Sequence, residues 1–199
     1  LIGHGEKVLP MKRFLVVLMI MFSLHNLAKA DEIKDFEIEG ISIGDSALKI
    51  LSKDEIIREI EIGKNEYSWT DQKYTDIYSY DVKNYDKLVM AIERKDKNYI
   101  IHAVTGQIDY KDINKCFEKQ NEIEKTFDDM FSSTNKDKWT QKHTQDKTGK
   151  SEVHWIVYSF NTGDKVELVC FEMAKHMKQP SGLDVGIVSA EYRNWLNSF

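Results

Sequence analysis

The chain has two cysteines, Cys116 and Cys170, and their settings constrain the fold more than any other feature. Cys116 lies in the stretch 111–131. There Ile113, Cys116, Phe117, Ile123, Phe127, Met130 and Phe131 fall near one stripe at a 3.6-residue period, with charge on the other side. Cys170 alternates with Val166 and Leu168, which places its thiol on the apolar face of a strand. Both thiols therefore point toward one helix–sheet interface. An oxidising compartment would make a Cys116–Cys170 disulfide the default, closing a loop that stabilises by about 4 kcal/mol on the chain-entropy model.

The N-terminal segment indicates such a compartment. Lys12 and Arg13 precede the uncharged run 14–24, and Ala28-Lys29-Ala30 supplies the small residues that a signal peptidase reads. The run of 11 residues is short of the roughly 20 needed to span a bilayer, and polar His25-Asn26 follows it. Residues 11–30 are therefore expected to be a cleaved signal peptide, and 1–10 an over-extension of the reading frame before Met11. No Cys near Ala30 supports a lipid anchor. The expected location is the periplasm or the exterior.

The expected mature part, 31–199, has 169 of the 199 residues, enough for a single domain with a real core. Without Glu6, Lys7, Lys12, Arg13 and Lys29, 24 basic residues face 32 acidic ones, a balance of −8. That balance argues against general nucleic-acid binding, which needs surplus Lys and Arg against phosphate. No later apolar run could serve as a transmembrane anchor.

The patterning predicts an α+β domain. Phe36, Ile38 and Ile41 are core candidates. Residues 46–61 hold one bent helix or two short ones, with Asp45 or Ser46 as a cap and Ser52/Glu55 as a capping box. Strand-like runs follow at 74–82, 87–94 and 98–110, then the helix 111–131. Further strands are expected at 152–160, 165–173 and 183–190, and a short helix at 191–199. Asn161-Thr162-Gly163-Asp164 reads as a hairpin turn. The result is an antiparallel sheet of about six strands carrying two main helices, in the pattern of a duplicated helix–three-strand unit. The polar stretch 132–150 lacks periodicity and is expected to be a mobile loop.

Several constellations bear on chemistry. Gly44-Asp45-Ser46 resembles the block that carries the nucleophile of GDSL-type hydrolases. None of His102, His143, His154 and His176 follows an Asp at the three-residue spacing that family uses, so the serine is expected to be a helix cap. A small extracytoplasmic hydrolase using Ser46 is the enzymatic alternative. Thr148-Gly149-Lys150-Ser151 resembles the end of a P-loop, but Thr144 stands where the motif needs glycine. The histidines are spread over separate elements, and oxidised cysteines offer no thiolate. No metal site, cofactor or catalytic set is therefore expected. Trp139 sits among Lys136, Lys138, Lys142, His143, Lys147 and Lys150 and could grip an anionic surface or a partner. Through these residues 132–150 is a candidate binding loop, or one acting as an inhibitor or chaperone would.

The chain resembles a group of small exported proteins of marine alphaproteobacteria to which no activity is assigned. The resemblance rests on residues 35–46 (Asp-Phe-Glu-Ile-Glu-Gly-Ile-Ser-Ile-Gly-Asp-Ser), Lys97-Asn98-Tyr99-Ile100-Ile101, the helix around Cys116 and Gly163-Asp164-Lys165-Val166-Glu167-Leu168-Val169-Cys170. It implies export and one domain, and no catalytic residue. A more distant similarity is to small envelope domains such as the outer-membrane assembly lipoprotein BamE, although the lipid-bearing Cys is missing. The expected function is non-enzymatic binding of an envelope component or a protein partner.

Overall fold

The computed structural model describes residues 33–65 and 67–199. The expected signal segment 11–30 and the extension 1–10 lie outside them. The elements are helix α1 (Lys53–Ile62), strands β1 (Tyr74–Ser79), β2 (Lys87–Glu93) and β3 (Ile101–Tyr110), and helix α2 (Ile113–Met130). Then come β4 (Asn135–Lys142), β5 (Glu152–Ser159), β6 (Lys165–Glu172), β7 (Ser181–Val188) and helix α3 (Ala190–Leu196). The expected α+β class and antiparallel sheet are present, with seven strands among the described residues in place of about six, and α3 is the short helix expected beside the two main ones.

All neighbouring strands run antiparallel in the order β1-β2-β3-β7-β6-β5-β4. β3 and β7 lie side by side at the centre, β2 and β6 flank them, and β1 and β5 lie beyond. β4 extends one edge.

One face of the sheet carries the main core. Ile77, Leu88, Met90, Ile92, Val104, Leu183, Val185, Ile187, Val166, Leu168, Ile156 and Tyr158 are buried there. Ile56 of α1, Cys116 and Phe127 of α2, and Ile33, Ile38, Ile41 and Ile43 of the N-terminal segment cover them. Phe36 packs edge-on against Phe127 and Phe131, with ring centroids 5.2 and 5.4 Å apart. The second face is capped at one end by α3, where Tyr192 and Trp195 pack on Tyr74, Ala91, Ala103 and Val188.

Local sequence accounts for most boundaries. Ser46 caps a 3₁₀ turn at Ala47–Lys49. Ser52 and Glu55 form the expected capping box that starts α1, each satisfying a backbone N–H of the other. Asp112 caps α2 by accepting from Asn114 N. The β5–β6 hairpin closes at Gly163, whose φ of +88° suits a residue without Cβ.

The disulfide forms where the two periodicities pointed. Cys116 of α2 is bonded to Cys170 of β6 with Cα atoms 6.0 Å apart, and both are fully buried. It ties the helix to the sheet.

The expectation of an unstructured loop over 132–150 is corrected. Asn135–Lys142 forms β4, paired with β5 from Asn135↔Ser159 to Lys142↔Glu152. All eight residues of β4 are exposed, because an edge strand has one neighbour and need not bury an apolar face. That is why no apolar alternation marks it.

Candidate functional site

The β4–β5–β6 end of the sheet gathers the polar and aromatic chemistry, and strand alternation sorts it onto two faces. Lys136, Lys138, Thr140 and Lys142 share the helix face with Tyr158, Ile156, His154 and Glu152, their partners on β5. Asp137, Trp139 and Gln141 point the other way, opposite Val157, Trp155 and Val153. The basic residues and Trp139 therefore do not make one patch.

Each helix-face lysine meets a carboxylate. Lys136 Nζ lies 2.7 Å from Glu124 and 2.6 Å from Asp128, both on α2, and Lys138 Nζ lies 2.9 Å from Glu124. Burial pushes the Glu124 carboxyl up, but the two lysines outweigh it and hold the group below the usual range. Lys142 Nζ lies 2.5 Å from Glu152 Oε1 and lowers that carboxyl too.

Beyond β4 the chain is organised by Asp146, whose side chain is fully buried. Its carboxylate accepts from the backbone N–H groups of Thr148, Lys150 and Ser151 and from the hydroxyls of Thr148 and Ser151. His176 Nε2 lies 3.0 Å away. Burial raises the carboxyl, yet these hydrogen bonds hold it far below the carboxylate range. The Thr148-Gly149-Lys150-Ser151 segment thus does cradle an anion with its amides, and the anion is the chain's own Asp146. Lys147 and Lys150 remain exposed, and the His143 ring stands 6.3 Å from that of Phe171.

Ser46 is engaged as a cap. Its hydroxyl donates to Asn98 O at 2.6 Å and accepts from Leu48 N, while Asp45 accepts from Ser42 N and pairs with Lys49 at 2.6 Å.

Two arrangements were not foreseen. On the second face, Trp139 lies flat on Trp155, with centroids 5.6 Å apart and planes 8° from parallel. Trp139 is 41% exposed, and the buried Nε1–H of Trp155 has no hydrogen-bond partner. On the helix face, His154 sits beside a shallow groove of about 170 Å³ lined by Phe117, Gln120 and Asn121 of α2 and Lys138 and Thr140 of β4. The rings of His154 and Phe117 meet edge-on at 4.7 Å. Glu152 and Glu172 flank His154. Neither arrangement is legible along the chain, because both depend on cross-strand register, which sequence spacing alone does not display.

Among the described residues no helix is long and apolar enough to cross a membrane. No protein-family model matches this chain, and neither the curated proteins nor the solved structures contain a match to it.

Proposed function

We propose that this is an exported, non-enzymatic binding protein of the periplasm or exterior, and that the Trp139–Trp155 platform is its contact surface for an envelope component or protein partner. The observation that carries this is an indole stacked on a second indole and left 41% exposed on an edge strand. A flat aromatic face of that kind takes a sugar ring or an aromatic side chain by stacking. Asp137 and Gln141, on the same face, supply polar groups beside it. The signal-like sequence of 11–30 and the buried Cys116–Cys170 bond support export. An inhibitor- or chaperone-like action of 132–150 would use the same strand. The strand order also supports descent from a duplicated helix–three-strand unit, with β4 as an addition.

The test is capture from a solubilised envelope fraction by the immobilised protein, followed by comparison with Trp139→Ala. The variant is expected to lose the captured species while its thermal midpoint stays within a degree or two, since Trp139 contributes little core. Equal capture by both proteins would refute the platform.

A further inference from the structure

We propose that Glu152, His154 and Glu172 form a binding site for a divalent first-row transition cation, of which Zn²⁺ is the representative. Glu152 and His154 are two residues apart on β5 and so share a face, and Glu172 lies directly opposite Glu152 on β6. His154 Nε2 lies 3.5 Å from Glu172 Oε2 and 3.8 Å from Glu152 Oε2, and the three ligand atoms fall within 4.8 Å of one another. These separations are long for hydrogen bonds, and Nε2 has no hydrogen-bond partner although it is buried from solvent. They suit ligands around one ion. Bonds of about 2.1 Å at tetrahedral angles put ligand atoms roughly 3.4 Å apart.

Three further features fit. His154 Nδ1 lies 3.0 Å from Thr140 Oγ1; in the tautomer that carries its proton on Nδ1, the ring donates to the hydroxyl and leaves the Nε2 lone pair facing the glutamates, the form a metal ion selects. Fixing the distal nitrogen of a ligating histidine in this way orients the ring and raises its basicity. Glu152 and Glu172 face each other in register, a like-charge pair that Lys142 offsets only at Glu152 Oε1. Lys142 engages only Oε1 of Glu152, leaving Oε2 for the site. The imidazole selects the metal class, since Ca²⁺ and Mg²⁺ take oxygen ligands.

Isothermal titration of the purified, disulfide-intact protein with ZnCl₂ tests the proposal. One equivalent is expected to bind. Thr140→Val should weaken binding by about 10-fold, as loss of an orienting partner does, and His154→Ala by about 100-fold or more. Glu172→Gln should weaken it as well, and this partly exposed position keeps the test valid if His154→Ala unfolds. Lys142→Ala removes a competing cation and should tighten binding a few-fold. His143→Ala and His176→Ala should leave affinity unchanged. No binding, or binding indifferent to both His154→Ala and Glu172→Gln, would overturn the site.

Discussion

Asp184 is a carboxylate whose charge the fold disfavours, and replacing it with Asn should stabilise the protein in a pH-dependent way. The residue lies near the centre of the second face of the sheet, on β7, opposite Gln107 of β3 and Val169 of β6. Burial pushes its carboxyl up to about 7. The hydrogen bond from Gln107 Nε2 at 2.7 Å and the charge of Lys87 oppose that shift, and Asp109 and Glu167 add to it. In the unfolded chain the group titrates near 3.9. Below about pH 4 it is neutral in both states and takes nothing from stability. As pH rises through 4 to 7, only the unfolded chain ionises freely, so stability falls, and above about 7 the loss is complete. A gap of about three pH units at 1.36 kcal/mol each sets the ceiling at roughly 4 kcal/mol. Asn at 184 keeps an acceptor for Gln107 and removes the ionisation. Urea unfolding of both proteins at pH 4, 6 and 8, with equal m-values, reads the difference directly. Asp184→Asn should match the parent at pH 4 and exceed it by at least 1 kcal/mol at pH 8. A gain of the same size at all three values, or a loss at pH 8, would refute the reasoning.

Two further outcomes follow from packing. Cys116→Ala/Cys170→Ala releases a 54-residue loop and should lower unfolding free energy by about 4 kcal/mol on the chain-entropy model, measured in guanidinium; a loss under 1 kcal/mol would contradict it. A Cβ at Gly106 would stand 2.5 Å from the Tyr85 ring, so Gly106→Ala should cost about 1–3 kcal/mol. That cost should largely vanish in a Tyr85→Ala background, a coupling that a double-mutant cycle measures.

Much of the architecture was legible because burial imposes a period. The stripe from Ile113 to Phe131 marked α2, and the alternation of Val166, Leu168 and Cys170 marked β6. Together they pointed to the bond that joins the two elements. Ser52 and Glu55 were legible because a capping box is local. β4 was not, since an edge strand can be solvated on every residue and then carries no hydrophobic period. Once 132–150 is taken as a loop, its lysines and Trp139 look like one cluster, and only the strand's alternation separates them. The Glu152–His154–Glu172 grouping needs the β5–β6 register, which depends on turn geometry and on the whole sheet closing.

The same strand separates residues that serve the fold from those it does not need. An exposed edge invites pairing with another chain, and lysines on it are a common defence. Lys136, Lys138 and Lys142 fill that role in β4, and the carboxylates of Glu124, Asp128 and Glu152 hold them in place. Edge protection and helix docking thus account for the lysines without any anionic ligand. Thr140 is accounted for by the ring it orients. Trp139 has no such account. A large apolar side chain on a solvated edge makes unwanted pairing more favourable, and its stack on Trp155 could be omitted without opening the core. A residue that works against the strand's own protection is the one whose presence calls for a partner.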